Sequence, residues 1–209
     1  MAAGLQVTSE ANTYQIDSDY SNIFLNRKVE ISSSTPVDLG LADDEIVCIK
    51  PNKGEFVSVP YYAFAKVGFM GSGVAYIFKN QPVSPMKSGD AGLEVYKPDG
   101  SIAYNSKSKP LRIVGNFIHG TNSVVDISIP QGVKSLGFLP VTAMVVTVPA
   151  VGEQPNSTWH NLLTTFVTLS DEGAHQLRRG SLGAWNSPVN YPTTINPSTK
   201  GFLVDLSGY

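Results

Sequence analysis

Cysteine and charge are the two things this chain has least of. Its one cysteine, Cys48, excludes an intrachain disulfide and any cysteine-based zinc site. Within the run Ile46-Val47-Cys48-Ile49 it reads as a small apolar residue facing a core. Charged residues make up only 15% of the 209, where about 25% is ordinary for a soluble domain. The two signs nearly cancel, with Lys+Arg 15 against Asp+Glu 17. Basic groupings such as Arg178-Arg179 and Lys107-Ser108-Lys109 are too sparse to neutralise a run of phosphates, so no nucleic acid is expected as a partner. No stretch approaches the ~20 apolar residues of a membrane span. Neither a basic start nor an apolar h-region precedes Gly4. The expectation is a chain made in a cytoplasm and not inserted into a membrane. Helical periodicity is nearly missing too. Residues 61–67 and 171–179, the latter behind Ser170 as an N-cap, are the only stretches that read as helix, about two turns each.

What the chain does have is short apolar runs and turn residues, with 19 glycines and 14 prolines. Runs of strand length fall at 46–49, 56–59, 74–78, 92–96, 111–114, 124–129, 143–148, 162–169 and 202–206. Asn52-Lys53-Gly54, Pro98-Asp99-Gly100 and Pro130-Gln131-Gly132 carry glycine or proline where tight turns need fixed or positive φ. Disorder is excluded by the abundance of aliphatic and aromatic residues. A chain of this length buries about 70% of its unfolded surface and needs no covalent staple. The class is all-β, and strands at this spacing point to sandwiches.

An internal repeat bears on domain organisation. Gly4-Leu5-Gln6-Val7 returns as Gly92-Leu93-Glu94-Val95, and Asp17-Ser18 as Asn105-Ser106, without a gap between them. The same offset pairs Tyr14 with Ile102, Ile16 with Tyr104, Ile23 with Leu111 and Leu25 with Ile113. Further on, Ile46 to Ile49 before Pro51 matches Ile127 to Ile129 before Pro130 only if the register slips. Duplication predicts two tandem β-sandwich-like domains, 1–88 and 89–209, joined through the proline-bearing stretch 80–90. Leu5 and Val7 would then be equivalent to Leu93 and Val95.

Candidate chemistry is thin. His119, His160 and His175 are widely spaced and make no metal-binding motif. Asp17-Ser18-Asp19-Tyr20-Ser21 opens like a calcium loop, but Asn22 stands where glycine belongs and Lys28 where a bidentate glutamate belongs. Asp43-Asp44-Glu45 reads as a solvated loop before a strand. Gly68-Phe69-Met70-Gly71-Ser72-Gly73 lacks the Lys-Ser/Thr and the helix of a phosphate loop, and reads as a turn between strands. Asn156-Ser157-Thr158 fits a glycosylation sequon that has meaning only on a secretory route. No catalytic, cofactor-binding or metal residue is expected, and the chain reads as a non-enzyme. Residues 152–191 do resemble a recognition surface, holding Trp159, His160, Trp185, Asn186, Asn190 and Tyr191 among Ser and Gly. Trp159, His160, Trp185, Asn186 and Tyr191 are the candidate interface or receptor contacts. The alternative is that both tryptophans close a core.

The segment from Gly92-Leu93-Glu94-Val95-Tyr96-Lys97-Pro98-Asp99-Gly100-Ser101 through Asn105-Ser106 to Leu111-Arg112-Ile113-Val114-Gly115 resembles small β-rich virion proteins of tailed bacteriophages. Their pattern is GLxV, a glycine turn, an apolar pair, Asp/Asn-Ser and an apolar strand. Residues 4–22 match it as well, with Glu10-Ala11-Asn12 in place of the turn glycine. The resemblance implies a structural role in the tail apparatus (tail tip, adaptor or fibre attachment) and localisation in the virion. Partners would be other copies of the chain and neighbouring virion proteins. The alternatives are a receptor- or carbohydrate-binding module of the tail, with a host-surface receptor or glycan as partner, and a capsid decoration protein. The resemblance supplies no catalytic residues.

Overall fold

A computed structural model describes residues 5–8, 13–16, 23–58, 61–63, 66–80, 84–89, 91–120, 124–142, 146–150, 158–170, 173–187 and 198–209. Among these the chain forms sixteen strands and no helix, so it is all-β. They are β1 (Leu5–Thr8), β2 (Thr13–Ile16), β3 (Ile23–Asp38), β4 (Glu45–Pro51), β5 (Phe56–Ser58), β6 (Tyr61–Ala63), β7 (Lys66–Asn80) and β8 (Glu94–Tyr96), then β9 (Ile102–Asn105), β10 (Ile113–His119), β11 (Val124–Ile127), β12 (Leu136–Thr142), β13 (Val146–Ala150), β14 (Thr158–Leu169), β15 (His175–Ser187) and β16 (Thr199–Asp205).

Six strands make a nearly closed antiparallel ring in the order β3–β7–β4–β12–β16–β10. It shuts at an antiparallel bridge between Phe24 and Pro110. There the Leu25 N–H donates to the Lys109 carbonyl (3.0 Å) and the Leu111 N–H to the Ile23 carbonyl (2.8 Å). A second layer, β5–β14–β15–β11, continues from β7 through the Val57–Gly71 pairing. β13 lies along β14, and β6 folds back on the start of β7. Two short hairpins, β1–β2 and β8–β9, stand as separate sheets.

Side chains alternate across a strand, and the central ring strands are buried on both sides. Val47, Ile49, Ala75, Ile77, Phe117, Leu136, Phe138 and Leu203 share one core with Val57, Val167 and Leu177 of the second layer. Cys48, Tyr76, Phe78, Leu139, Val204 and Leu206 form a second core, closed by Tyr209. Two-sided burial explains why β4 and the end of β7 read as unbroken apolar runs. Cys48 is fully buried, as expected. A Cβ on Gly137 would sit 2.4 Å from its sulfur, so the site has room only for a small pair.

Neither expected helix is one among the described residues, and both stretches contribute to strands. Tyr61–Ala63 pairs with the start of β7 as a hairpin. The stretch from His175 is the beginning of β15, with His175 and Leu177 buried and Arg178 exposed, a period of two. Pairing with β14 on one edge and β11 on the other overrides the local helical signal. The glycine-rich 68–73 is not a turn but the middle of β7. Gly71 has φ +120°, and a Cβ there would lie 2.0 Å from the Phe56 carbonyl oxygen; one on Gly73 would lie 2.4 Å from that of Lys50. These glycines let three backbones converge. The three turn triplets are turns, with φ 79° at Gly54, 83° at Gly100 and 84° at Gly132.

The large sheet takes strands from both sides of the boundary expected after residue 88: β4 pairs with β12, and β5 with β14. Both repeat copies begin with a hairpin, but the registers differ. Val7 faces Tyr14, whereas Val95 faces Tyr104 rather than Ile102. The ring order nonetheless reads the same from either end when β3, β7 and β4 are exchanged for β10, β16 and β12. Ile49 and Phe138, each two residues before a proline, face one another at the β4–β12 junction.

Crowding at Gly71 gives an expected outcome. Gly71→Ala should lower the unfolding free energy by about 3 kcal/mol, because backbone cannot yield as a side-chain end does. Gly120→Ala, with nothing within 4 Å of the added carbon, should change it by less than about 0.5 kcal/mol. Urea midpoints of the two variants check this.

Candidate functional site

Among the described residues, three places hold the groups that bear on a site. The first is inside. His119, Thr165 and Thr199, from β10, β14 and β16, are each fully buried. His119 Nδ1 lies 2.9 Å from Thr165 Oγ1, which lies 2.7 Å from Thr199 Oγ1. This chain of polar atoms joins the second layer to the ring and has no access for a substrate. His175, 6% exposed, is a second buried imidazole.

The second place is the loop edge before β4. Asp43-Asp44-Glu45 is contiguous in sequence, but its carboxylates go separate ways. Glu45 accepts from Arg27 Nη2 (2.8 Å), Asn26 Nδ2 (2.7 Å) and the Ala42 N–H (3.1 Å). Asp44 pairs with Lys79 Nζ at 3.0 Å. The Arg27 hydrogen bond, aided by the Ala42 N–H, pulls the Glu45 carboxyl down to about 2. The cluster fastens β3 to β4, and among the described residues no group of three or more His, Cys, Asp or Glu side chains is placed to hold a metal. The calcium-like residues 17–22 lie outside the described residues, as does the sequon asparagine Asn156.

The third place holds the residues expected to make contacts. Of residues 152–191 only 162–169 read as a strand from the sequence; in the fold β14 and β15 pair along their whole length. Trp159 faces Asn186 and His160 faces Trp185 in this register. Four of the five candidate contacts therefore fall on two consecutive rungs of one ladder; Tyr191 and Asn190 lie outside the described residues. The sequence signal missed here was the strand length of β15, hidden by its glycines and arginines.

A further surface was not singled out from the sequence. On the outer ring wall, Ile118 of β10 faces Lys200, and Phe202 of β16 faces Asn116. Val141 is the extra residue at the β12 bulge opposite Gly201 and Lys200. Ile118 is 63%, Val141 62% and Phe202 39% exposed. Nothing in a strand's alternation marks these apolar residues as outward-facing.

No protein-family model, curated protein or solved structure matches the chain.

The Glu45 arrangement sets an acid limb. Its folded pKa lies below the ordinary 4.5, so its stabilising effect is complete above about pH 4.5 and is lost as pH falls toward 2. Glu45→Gln should be the less stable protein at pH 7, with the two curves drawing together below about pH 4.5 and meeting only once the pH has fallen below about 2. Denaturant titrations across that range read the difference.

Proposed function

We propose that this chain is a non-enzymatic structural component of a bacteriophage particle, working in the tail apparatus by assembly with copies of itself and neighbouring virion proteins. The observation that carries the reading is the cluster of Ile118, Val141 and Phe202 on an outer wall of a charge-poor β-structure. Apolar side chains left outward on adjacent strands are a common mark of protein contact surfaces. The virion-like pattern in residues 4–22 and 92–115 adds the kind of particle. The near-palindromic ring order supports descent of the two halves from one duplicated unit. On that reading the long β13–β15 excursion is an elaboration of the second half.

Sedimentation velocity of the purified chain tests assembly. Self-association with concentration is expected, and Ile118→Asp with Val141→Asp should weaken it at least tenfold at unchanged melting temperature. A monomer at every concentration, unaltered by these substitutions, would count against this reading.

A receptor- or glycan-binding role for the β14–β15 end is the second reading, favoured by the placement of Trp159 and Trp185 on adjacent rungs. If they are contact anchors, Trp159→Ala or Trp185→Ala should cost about 2 kcal/mol of binding or assembly with the fold intact. If they are core residues, the cost should instead be about 3–5 kcal/mol of stability. Melting and assembly measured on the same variants separate the two.

A further inference from the structure

We propose that His175 is a proton-operated latch between the ring and the second layer, holding the β11–β14–β15 layer closed while neutral and releasing it on protonation. His175 opens β15, facing Leu169 of β14 and Ile127 of β11. Its ring lies on Phe138 of β12, with centroids 5.8 Å apart, so one imidazole touches both layers. Both ring nitrogens are shut off from solvent, and neither has a hydrogen-bond partner among the described residues. His119 makes the contrast, since the same side chain in the same core lies 2.9 Å from Thr165 Oγ1. A neutral imidazole without partners is tolerated; an imidazolium with two unmet N–H donors and a charge is far less so.

Among the described residues the charged groups around it offer no counter-ion. Lys50 of β4 acts on it with like charge. Asp126 of β11 is turned to Gln176 Nε2 at 2.6 Å, and Arg178 to Gln176 Oε1, both on the opposite side of β15 from His175. β5 and β12 carry no ionisable side chain, and the only one on β14, His160, lies at its far end. Burial first, and Lys50 second, hold the His175 pKa below the ordinary 6.5. A depressed folded value means that stability is complete above about pH 6.5 and declines as pH falls through the lower folded value. The layer is where yielding should begin, because its backbone link to the ring is as narrow as the Val57–Gly71 and β14–β5 pairings.

The test uses the full chain and His175→Phe, which keeps a ring on Phe138 but cannot take a proton. Between pH 7.5 and pH 5 the wild-type melting temperature should fall at least about 5 °C further than that of the variant. Amides of β11 and β15, corrected for intrinsic exchange, should lose protection at pH 5 before those of β4 and β12. Identical pH profiles for the two proteins would overturn the latch. Should His175→Phe fail to fold, the ring-proton NMR titration of the wild type, assigned with His175→Gln, decides. A midpoint below 6.5 supports the latch, and one at or above 6.5 overturns it.

Discussion

The ring and the second layer meet at β7. It is the one strand that the ring and the second layer share, pairing with β3 along nearly its whole length, with β4 along its later half and with β5 and β6 along its earlier one. A strand flanked in this way has no spare volume where the partners change over. The Phe56 and Lys50 carbonyl oxygens stand where Cβ atoms of residues 71 and 73 would be. Each glycine in a strand costs about 0.5–1 kcal/mol relative to alanine. That is offset several times over, because the crossing fully buries Phe69 and Val57, each worth about 1.5–3 kcal/mol. Packing wins, and the local weakness of a glycine-rich strand is the condition for it.

The ring itself depends on how its last gap is closed. Two backbone hydrogen bonds join Ile23–Leu25 to Lys109–Leu111 directly, and the chain's end is brought to the same place. The Asp205 N–H donates to the Arg112 carbonyl, and Asp205 pairs with the Arg112 guanidinium at 3.0 Å. Tyr209 sets its ring edge-on to Phe78 and Tyr76, beneath Lys109, and its hydroxyl donates to the Pro110 carbonyl. Residues far apart in sequence thus converge on the seam, so closure completes only when β16 is in place.

How much of this was legible follows from where each signal originates. Pro98-Asp99-Gly100 and its two counterparts are turns because φ at one glycine is a local property, and local chemistry can be read directly. The run at Ile46–Ile49 is a strand because burial on both faces leaves an unbroken apolar signature. The glycine run in β7 and the start of β15 could not be read, because what makes them strands is the neighbour across the ladder. Trp159 and Trp185 share that fate: proximity in the β14–β15 register is invisible in residue spacing. Likewise, the repeat was visible as matched short motifs, while the ring that interleaves the two halves was not.

Scarcity of charge acquires a structural meaning once the charges are located. Arg27–Glu45 and Lys79–Asp44 fasten the strands around β4, and Arg112–Asp205 fastens the seam. Asp99 folds its own turn through the Ser101 N–H and hydroxyl. Asn105 does the same for the β9 end, accepting from Lys107, Ser108 and the Ser108 hydroxyl while reaching the Ser84 carbonyl. These side chains are held by their partners at loops and strand edges. Among the described residues, Ile118, Val141 and Phe202 leave apolar surface on the strand walls. On the assembly proposed above, such surfaces would act by covering area, which a particle supplies in repeated copies.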